Sequence, residues 1–211
     1  MDGVILDSEK LYVRFWCEAG RFYGYPLEEF HALSIRSMAR PYAVERLKGF
    51  FGENFDYDSV RNKRVELMDA YVEKNGIDTK SGAEELLRYL KENGIKTALA
   101  TATPADRAKR YLEMVGLLEY FDEVCSARMV KNGKPAPDIY LYAAERLKLN
   151  PAECIALEDS PNGIRSASAA GCKTVMIPDL DQPAEEIKPL LFGVADGLTG
   201  VIGIVGAEIR G

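Results

Sequence analysis

The sequence predicts an α/β fold: a parallel β-sheet with helices on both faces, plus an inserted block of helices that contains no strand. Two observations lead to this prediction. From about residue 77 onward, short apolar runs of strand length alternate with amphipathic segments, as in parallel sheets joined by crossover helices. Over residues 11–76, apolar residues instead recur at helical spacing without an intervening strand pattern.

The composition indicates a globular protein and argues against some classes of partner. The chain has 211 residues, of which 47% are hydrophobic, enough for one large or two unequal cores. The net charge of −6 argues against nucleic acid or an anionic membrane as the main partner. No apolar run approaches the roughly 18 residues of a spanning helix, and no signal peptide opens the chain.

The cysteines predict the cellular location, and the number of histidines limits the kinds of metal site. Cys17, Cys125, Cys154 and Cys172 are scattered without CxxC spacing, which predicts reduced, mostly buried thiols in a cytoplasmic protein. His31 is the only histidine, so a multi-histidine zinc site is excluded. We also expect a monomer.

The first residues, MDGVILDSE, predict a turn followed by an apolar run. Residues 11–76 predict about four helices, with breaks at Gly24 and Pro26 and a polar turn over 52–58. The predicted elements that follow are a helix over 82–93, a strand over 96–102, a helix over 104–115, a strand over 123–127, a helix over 137–149, a strand over 154–157, a turn over 160–163, a helix over 164–170, a strand over 173–177 and a helix over 183–191. The pattern does not decide the state of residues 201–205.

This change of pattern predicts two structural units. Residues 1–10 and 77–211 would form an α/β core domain. Residues 11–76 would form a helical domain inserted after the first turn.

The stretch IALEDSPNGIRSASAAG, residues 155–171, carries two adjacent acids at the end of a buried strand. In open α/β sheets, ligands bind beyond the carboxyl ends of the strands. Glu158 and Asp159 could therefore hold a hard cation through oxygen ligands. They could equally cap the next helix, because acids are favoured at helix N-termini.

Other polar residues are predicted near the same edge of the sheet. Asp2 lies in the first turn, Thr101 ends a strand with Ala102 after it, and Lys134 precedes a helix. A phosphate ester fits these groups, because a divalent ion and a cation must screen its charge before a nucleophile approaches. Each residue alone could be only a cap, a turn residue or a solvated lysine. Their order and placement together favour a phosphate site with Mg²⁺, which prefers oxygen ligands.

These segments resemble the motifs of haloacid dehalogenase-like (HAD) phosphatases of the β-phosphoglucomutase-like branch, which carry a helical cap. MDGVILDSE resembles the end of the first motif, written DxDG followed by an apolar run and DSE. ALATATP resembles the second motif, with Thr101 at the phosphate-binding hydroxyl. KPAPDIY resembles the third, with Lys134 at the phosphate-binding lysine. LEDSPNGIRSASAAG resembles the fourth, with Glu158 and Asp159 at the acids that serve magnesium.

The resemblance covers nearly the whole chain and implies a Rossmann-like core, a helical cap and Mg²⁺-dependent hydrolysis of phosphoric monoesters. In such enzymes an aspartate attacks phosphorus and becomes an aspartyl phosphate. A second aspartate, two residues later, protonates the leaving oxygen and then activates water. In such enzymes magnesium binds the nucleophile, the backbone carbonyl of the second aspartate and the late acid. Asp2 matches this second aspartate and Asp159 the late acid, so the resemblance implies Asp2, through its backbone carbonyl, with Glu158 and Asp159 as the metal ligands.

The nucleophile implied by the resemblance would lie two positions before Asp2, with Met1 between them, and the strand that carries it would be central in the sheet. Three explanations would account for the position of the nucleophile outside the given sequence: a start assigned to an internal methionine, a truncation of the chain, or a non-catalytic relative. We favour the first, because the other motif positions are intact. For the chain as given we expect weak or absent turnover, and unpaired backbone groups beside the missing strand.

The substrate would be chosen by the helical block. Arg36 and Arg40, in SIRSMAR, are candidate contacts for a substrate anion because guanidinium binds phosphate and carboxylate well, although they could be merely solvated. Lys63 and Arg64 are weaker candidates. Members of the branch that move a phosphate within a sugar are similar to one another in having a cap histidine shortly after the first motif. This chain has Tyr12 at that position. This favours a phosphatase of a small phosphorylated metabolite, such as a sugar phosphate, over a phosphosugar mutase.

Two further alternatives stay open on the residues alone. A phospho-accepting receiver domain uses similar groups, but the helical block and the placement of Glu158 and Asp159 after Lys134 argue against it. A non-catalytic phosphate-binding relative would bind Mg²⁺ and phosphate without turnover.

Overall fold

The computed structural model describes residues 1–36 and 38–210, which form an α/β core and a helical block. The helical block contains α1 (Glu9–Phe22), α2 (Glu29–Ser34), α3 (Arg40–Phe51) and α4 (Tyr57–Asn75). The core continues with α5 (Ala83–Glu92), β1 (Ala98–Thr101), α6 (Ala105–Met114), β2 (Glu123–Ser126), α7 (Asp138–Leu147), β3 (Ile155–Glu158), α8 (Pro161–Ala169), β4 (Lys173–Met176), β5 (Gly193–Val194) and α9 (Leu198–Arg210). The expected α/β class with parallel strands is confirmed.

The parallel strands form two sheets. β1 pairs with β2, from Ala98 opposite Glu123 to Thr101 opposite Ser126. The second sheet has the order β3-β4-β5. Within the described part of the chain, no strand pairs with the remaining edge of β1 or of β3, so backbone groups along both edges lack ladder partners.

An apolar groove of about 710 Å³ lies between these two free edges. Residues 96–100 form one wall and residues 154–157 form the other, and Met1 also lines the groove. Helices close both faces, with Ala143 of α7 on one side and Leu86 of α5 on the other. The groove therefore separates the two sheets, and the strand edges that face it carry the unpaired backbone groups that we expected.

The two parts of the molecule have separate apolar cores that α4 connects. In the helical block, the buried cluster includes Leu47 and Val60. The larger cluster lies against the sheets and includes Leu99. Met68 and Val72, farther along α4, belong to this second cluster. Because one continuous helix is buried in both cores, the block is held over the carboxyl ends of the strands.

Some elements differ from the sequence predictions or were not predicted. The predicted helix over 183–191 is wrong: only a 3₁₀ turn forms at Lys188–Leu190, because Pro189 lacks the N–H that the interior of an α-helix needs. Residues 201–205, which the pattern left undecided, lie inside α9. The two-residue strand β5 is too short to produce a period in the sequence.

The helix α8 begins at Pro161, three residues earlier than predicted. The Ser160 Oγ accepts a hydrogen bond from the Gly163 N–H at 3.3 Å, which caps the helix, and Pro161 occupies its first position. The residues predicted to form a turn therefore form the first turn of the helix. This turn brings the α8 N-terminus against the end of β3.

Across the residues that the structure describes, no helix is both long enough and apolar enough to cross a membrane.

Candidate active site

A cavity of about 440 Å³ lies between the carboxyl ends of β1 and β3 and the helical block. Thr101 is the last residue of β1, and Glu158 is the last residue of β3. All of the site residues predicted from the sequence line this cavity: Asp2, Arg36, Arg40, Thr101, Ala102, Lys134, Glu158 and Asp159. Residues far apart in the sequence thus meet at one edge, because parallel strands end on the same side.

Hydroxyl groups hold the Asp2 carboxylate on both oxygens. Ser8 Oγ donates to Oδ1 at 2.7 Å, and Thr103 Oγ1 donates to Oδ2 at 2.9 Å. Since the Thr103 hydroxyl has one proton and gives it to Asp2, the Tyr12 hydroxyl, 3.2 Å away, must donate to Thr103. The Thr103 N–H donates to Thr101 Oγ1 at 3.1 Å. Asp2 is therefore fixed in orientation.

Sequence reasoning missed Ser8 and Thr103 as partners of Asp2. A signal for Thr103 was present, because ALATATP places a second hydroxyl two residues after Thr101. Nothing in the sequence pairs Ser8 with Asp2, because the tight turn over residues 2–6 is what folds the chain back on itself.

Lys134 and Glu158 form a buried ion pair at the end of β3. The Tyr140 hydroxyl, from α7, also contacts the Glu158 carboxylate and lies 3.4 Å from Lys134 Nζ. Burial alone would raise the pKa of Glu158, but Lys134 and Tyr140 together hold it below its ordinary value. Glu158 is therefore an ionised partner of Lys134 here, a contact that its predicted role as a metal ligand did not include.

Gly163 makes this pair possible. A Cβ atom at Gly163 would lie 1.9 Å from Glu158 Oε2 and 2.1 Å from its Cδ. The start of α8 thus approaches the carboxylate closely enough that only glycine fits.

Arg36 contacts acids of the protein. Its Nη1 lies 3.5 Å from Asp159 Oδ2, its Nε lies 3.8 Å from Glu9 Oε2, and its Nη2 contacts Asp181. Arg40 is exposed and donates through Nε to Asp58 at 3.0 Å. Both arginines, predicted as contacts for a substrate anion, line the cavity. Each of them is already paired with carboxylates of the protein.

The acidic end of the cavity holds more negative charge than its nearby cations neutralise. Burial, followed by the charge of Glu158, raises the pKa of Asp159 to about 7. Burial, followed by the charges of Asp159 and Asp2, raises the pKa of Glu9 to about 8. Asp159 Oδ2 is enclosed and accepts no hydrogen bond from the described residues. This end of the cavity therefore suits an added cation.

The donor set fits Mg²⁺ in its chemistry, since carboxylate oxygens are the ligands that this ion prefers. Within residues 1–36 and 38–210, no three His, Cys, Asp or Glu side chains are grouped closely enough to hold a metal ion by themselves. The Asp159 carboxylate and the backbone carbonyl of Asp2 would thus hold the ion together with waters, of which Mg²⁺ usually keeps several.

Replacing Gly163→Ala should displace the Glu158 carboxylate and break its contacts with Lys134 and Tyr140. Because this leaves a buried charge without its partner, we expect a loss of roughly 3 kcal/mol or more in the free energy of unfolding, measured with urea. Gly49→Ala is the matched control: Gly49 lies in α3 with open space around its Cβ position, so that variant should be as stable as the parent or more so. Equal stability of the two variants would contradict the prediction.

The raised pKa values of Asp159 and Glu9 predict how stability changes with pH in EDTA. Between the ordinary values of 3.8 and 4.5 and the folded values of about 7 and about 8, the folded state binds more protons than the unfolded state. The free energy of unfolding should therefore fall as pH rises through this window. Mg²⁺ binds ionised carboxylates, so it should raise the melting temperature more at about pH 8.5 than at about pH 5.5.

The control for this prediction is the variant Glu9→Gln. In EDTA, its free energy of unfolding should change less with pH than that of the parent, because the variant lacks one of the two titrating groups. A melting temperature in EDTA that does not change across this range, or an equal effect of Mg²⁺ at both pH values, would contradict it.

Comparisons with known proteins agree with the geometry. A family model described as haloacid dehalogenase-like hydrolase matches residues 1–171. A phosphorylated carbohydrates phosphatase of Thermotoga maritima is 35% identical over 181 residues, which is 83% of this chain and 81% of that protein. Hexitol phosphatase A of Escherichia coli is 33% identical over 180 residues, 84% of this chain and 80% of that protein. The crystal structure of β-phosphoglucomutase from Clostridium difficile superposes with a TM-score of 0.80 at 25% identity and covers 99% of this chain and 94% of that chain. The chain belongs to the haloacid dehalogenase-like hydrolase family, in its β-phosphoglucomutase-like branch.

Proposed function

We propose that this protein is a Mg²⁺-dependent phosphatase of small phosphorylated metabolites, sugar phosphates among them. The observation that carries the proposal is the meeting of Asp2, Thr101, Lys134 and Asp159 in one cavity beneath the helical block. The names of the two relatives described above, both phosphatases of sugar-type compounds, support it.

The phosphoryl group would bind between Thr101, Ala102 and Lys134. Thr101 Oγ1 accepts from the Thr103 N–H, which leaves the Thr101 hydroxyl proton free for a phosphoryl oxygen. The N-terminus of α6 follows directly, and its backbone N–H groups and helix dipole favour an anion. Lys134, kept in place by Glu158, contributes the fixed positive charge.

Asp2 would act as the general acid and base. With Ser8 and Thr103 fixing its two oxygens, Asp2 can protonate the leaving oxygen and later take a proton from the attacking water. The reaction would pass through an aspartyl phosphate on an aspartate two positions before Asp2, which is not among the 211 residues. Mg²⁺, held by the backbone carbonyl of Asp2 and the carboxylate of Asp159 with Glu158 beside them, would screen the charge of the phosphoryl group.

Tyr12 supports hydrolysis over the phosphosugar mutase alternative. Burial raises the pKa of Tyr12, so the hydroxyl stays protonated, and it donates to Thr103. It therefore cannot act as a base in the way that a histidine in this position could. It instead supports the threonine that orients Asp2.

The experiment that tests this proposal compares two proteins: the chain as given, and the chain extended by an apolar strand that ends with an aspartate two residues before Asp2. The groove between β1 and β3 has two free strand edges that could pair with such a strand. With p-nitrophenyl phosphate and Mg²⁺, we expect the extended protein to be faster by more than about 100-fold, because losing a nucleophile typically costs more than that.

A second extended protein with asparagine in place of the new aspartate is the matched control, and it should be as slow as the chain as given. Equal and substantial rates in all three proteins would contradict the assignment of the nucleophile. Binding of Mg²⁺ and phosphate without turnover in the extended protein would favour a non-catalytic relative.

A further inference from the structure

Arg36 connects the helical block to the acidic end of the cavity. It lies between α2 and α3, and its side chain is 6% exposed. The guanidinium contacts acids of three segments: Glu9 at the start of α1, Asp159 after β3, and Asp181 after β4. Its positive charge therefore lies where the proposed metal ion would also bind.

The contact between Arg36 and the Asp159 carboxylate is close but makes no hydrogen bond. Arg36 Nη1 and Asp159 Oδ2 are 3.5 Å apart, and both atoms are enclosed without a hydrogen-bond partner among the described residues. Arg36 instead donates through Nη2 to the backbone carbonyl of Asp159, at 3.3 Å. The carboxylate oxygen thus keeps lone pairs that a second cation can use.

Two neutral hydrogen bonds tie the same segment of the helical block to the core. Asn162 Nδ2, on the first turn of α8, donates to the Arg36 carbonyl at 3.2 Å. The Ala39 N–H donates to the Lys134 carbonyl at 3.1 Å. Of the contacts that hold this segment, those of the Arg36 charge are the ones that a metal ion would change most.

A divalent ion at Asp159 would share that carboxylate with Arg36. Like charges inside a protein repel more strongly than in water, because the effective dielectric constant is lower there. A coupling free energy between two sites acts in both directions. Arg36 would therefore weaken the binding of the ion, and the bound ion would weaken the hold of Asp159 on Arg36 by the same free energy.

We propose that Arg36 is a positioning residue of the metal site that competes with Mg²⁺ for the Asp159 carboxylate. In the metal-free protein, Arg36 supplies the positive charge beside Asp159 and holds the helical block against the edge of the sheet. With Mg²⁺ bound, Arg36 relies mainly on Asp181, and this attachment weakens. The inference rests on the proposed function and assigns a regulation to its metal site: metal binding and attachment of the helical block oppose one another.

Calorimetric titration with Mg²⁺ tests the inference without requiring turnover, on the chain as given and on the extended protein described above. Arg36→Gln removes the charge and should bind Mg²⁺ roughly tenfold more tightly than its parent, a size typical of such couplings. Arg36→Lys keeps the charge and should bind Mg²⁺ about as weakly as the parent.

Arg88→Gln is the matched control for the change in net charge. Arg88 is an exposed arginine of α5 that contacts Glu84 at 3.5 Å and does not line the cavity. Its replacement should leave the affinity for Mg²⁺ unchanged.

Melting temperatures separate competition from a purely structural role. In EDTA, Arg36→Gln should melt lower than the parent, because Asp159 and Asp181 lose their cation. Mg²⁺ binds the variant more tightly, so it should raise the melting temperature of the variant more than that of the parent. A variant that melts lower by the same amount in EDTA and in Mg²⁺ would indicate a structural role and overturn the inference.

Nuclear magnetic resonance gives a local readout at Arg36. Its Nε–H proton should exchange with water faster in Mg²⁺ than in EDTA, because the attachment weakens. An exchange rate that does not respond to Mg²⁺ would overturn the inference, as would an Arg36→Gln protein that binds Mg²⁺ no more tightly than its parent. Failure of both parent proteins to bind Mg²⁺ would instead contradict the proposed function.

Discussion

The buried contact between Lys134 and Glu158 is the interaction on which the arrangement of the site depends. It joins the end of β3 to the segment before α7, and Tyr140 ties α7 to the same carboxylate. Each charge is acceptable inside the protein only because the other is present; removal of one partner of such a pair typically costs roughly 3–5 kcal/mol. The close approach of Gly163 shows that the backbone around β3 is fitted to this pair.

The two parts of the molecule contribute different chemistry to the cavity. The edge of the sheet supplies carboxylates, Thr101 and Lys134, which suit a phosphoryl group and a divalent cation. The helical block supplies Arg64 together with Tyr12 and Trp16, whose rings the Arg64 guanidinium packs against. Because α4 is buried in both cores, packing fixes the distance between the side chains of the helical block and the edge of the sheet.

Much of the fold follows from local patterns. Alternating strand and helix segments predicted the α/β class, and the polar residues at strand ends predicted which side chains meet, because parallel strands end at one edge. The predictions were wrong where local signals are weak or competing. Over 183–191 Pro189 outweighed the helical pattern, and β5 is too short to show a period. The roles assigned to the individual site residues remain predictions.

The sequence by itself determined the class of fold and the family, because these depend on residue types and their spacing, and it predicted residues that line one cavity. Only the tertiary structure decided which group each side chain contacts: Thr103 and Ser8 with Asp2, Tyr140 with Glu158, and acids with Arg36. The physical reason is that such contacts depend on burial and on side-chain direction, which packing between distant segments sets.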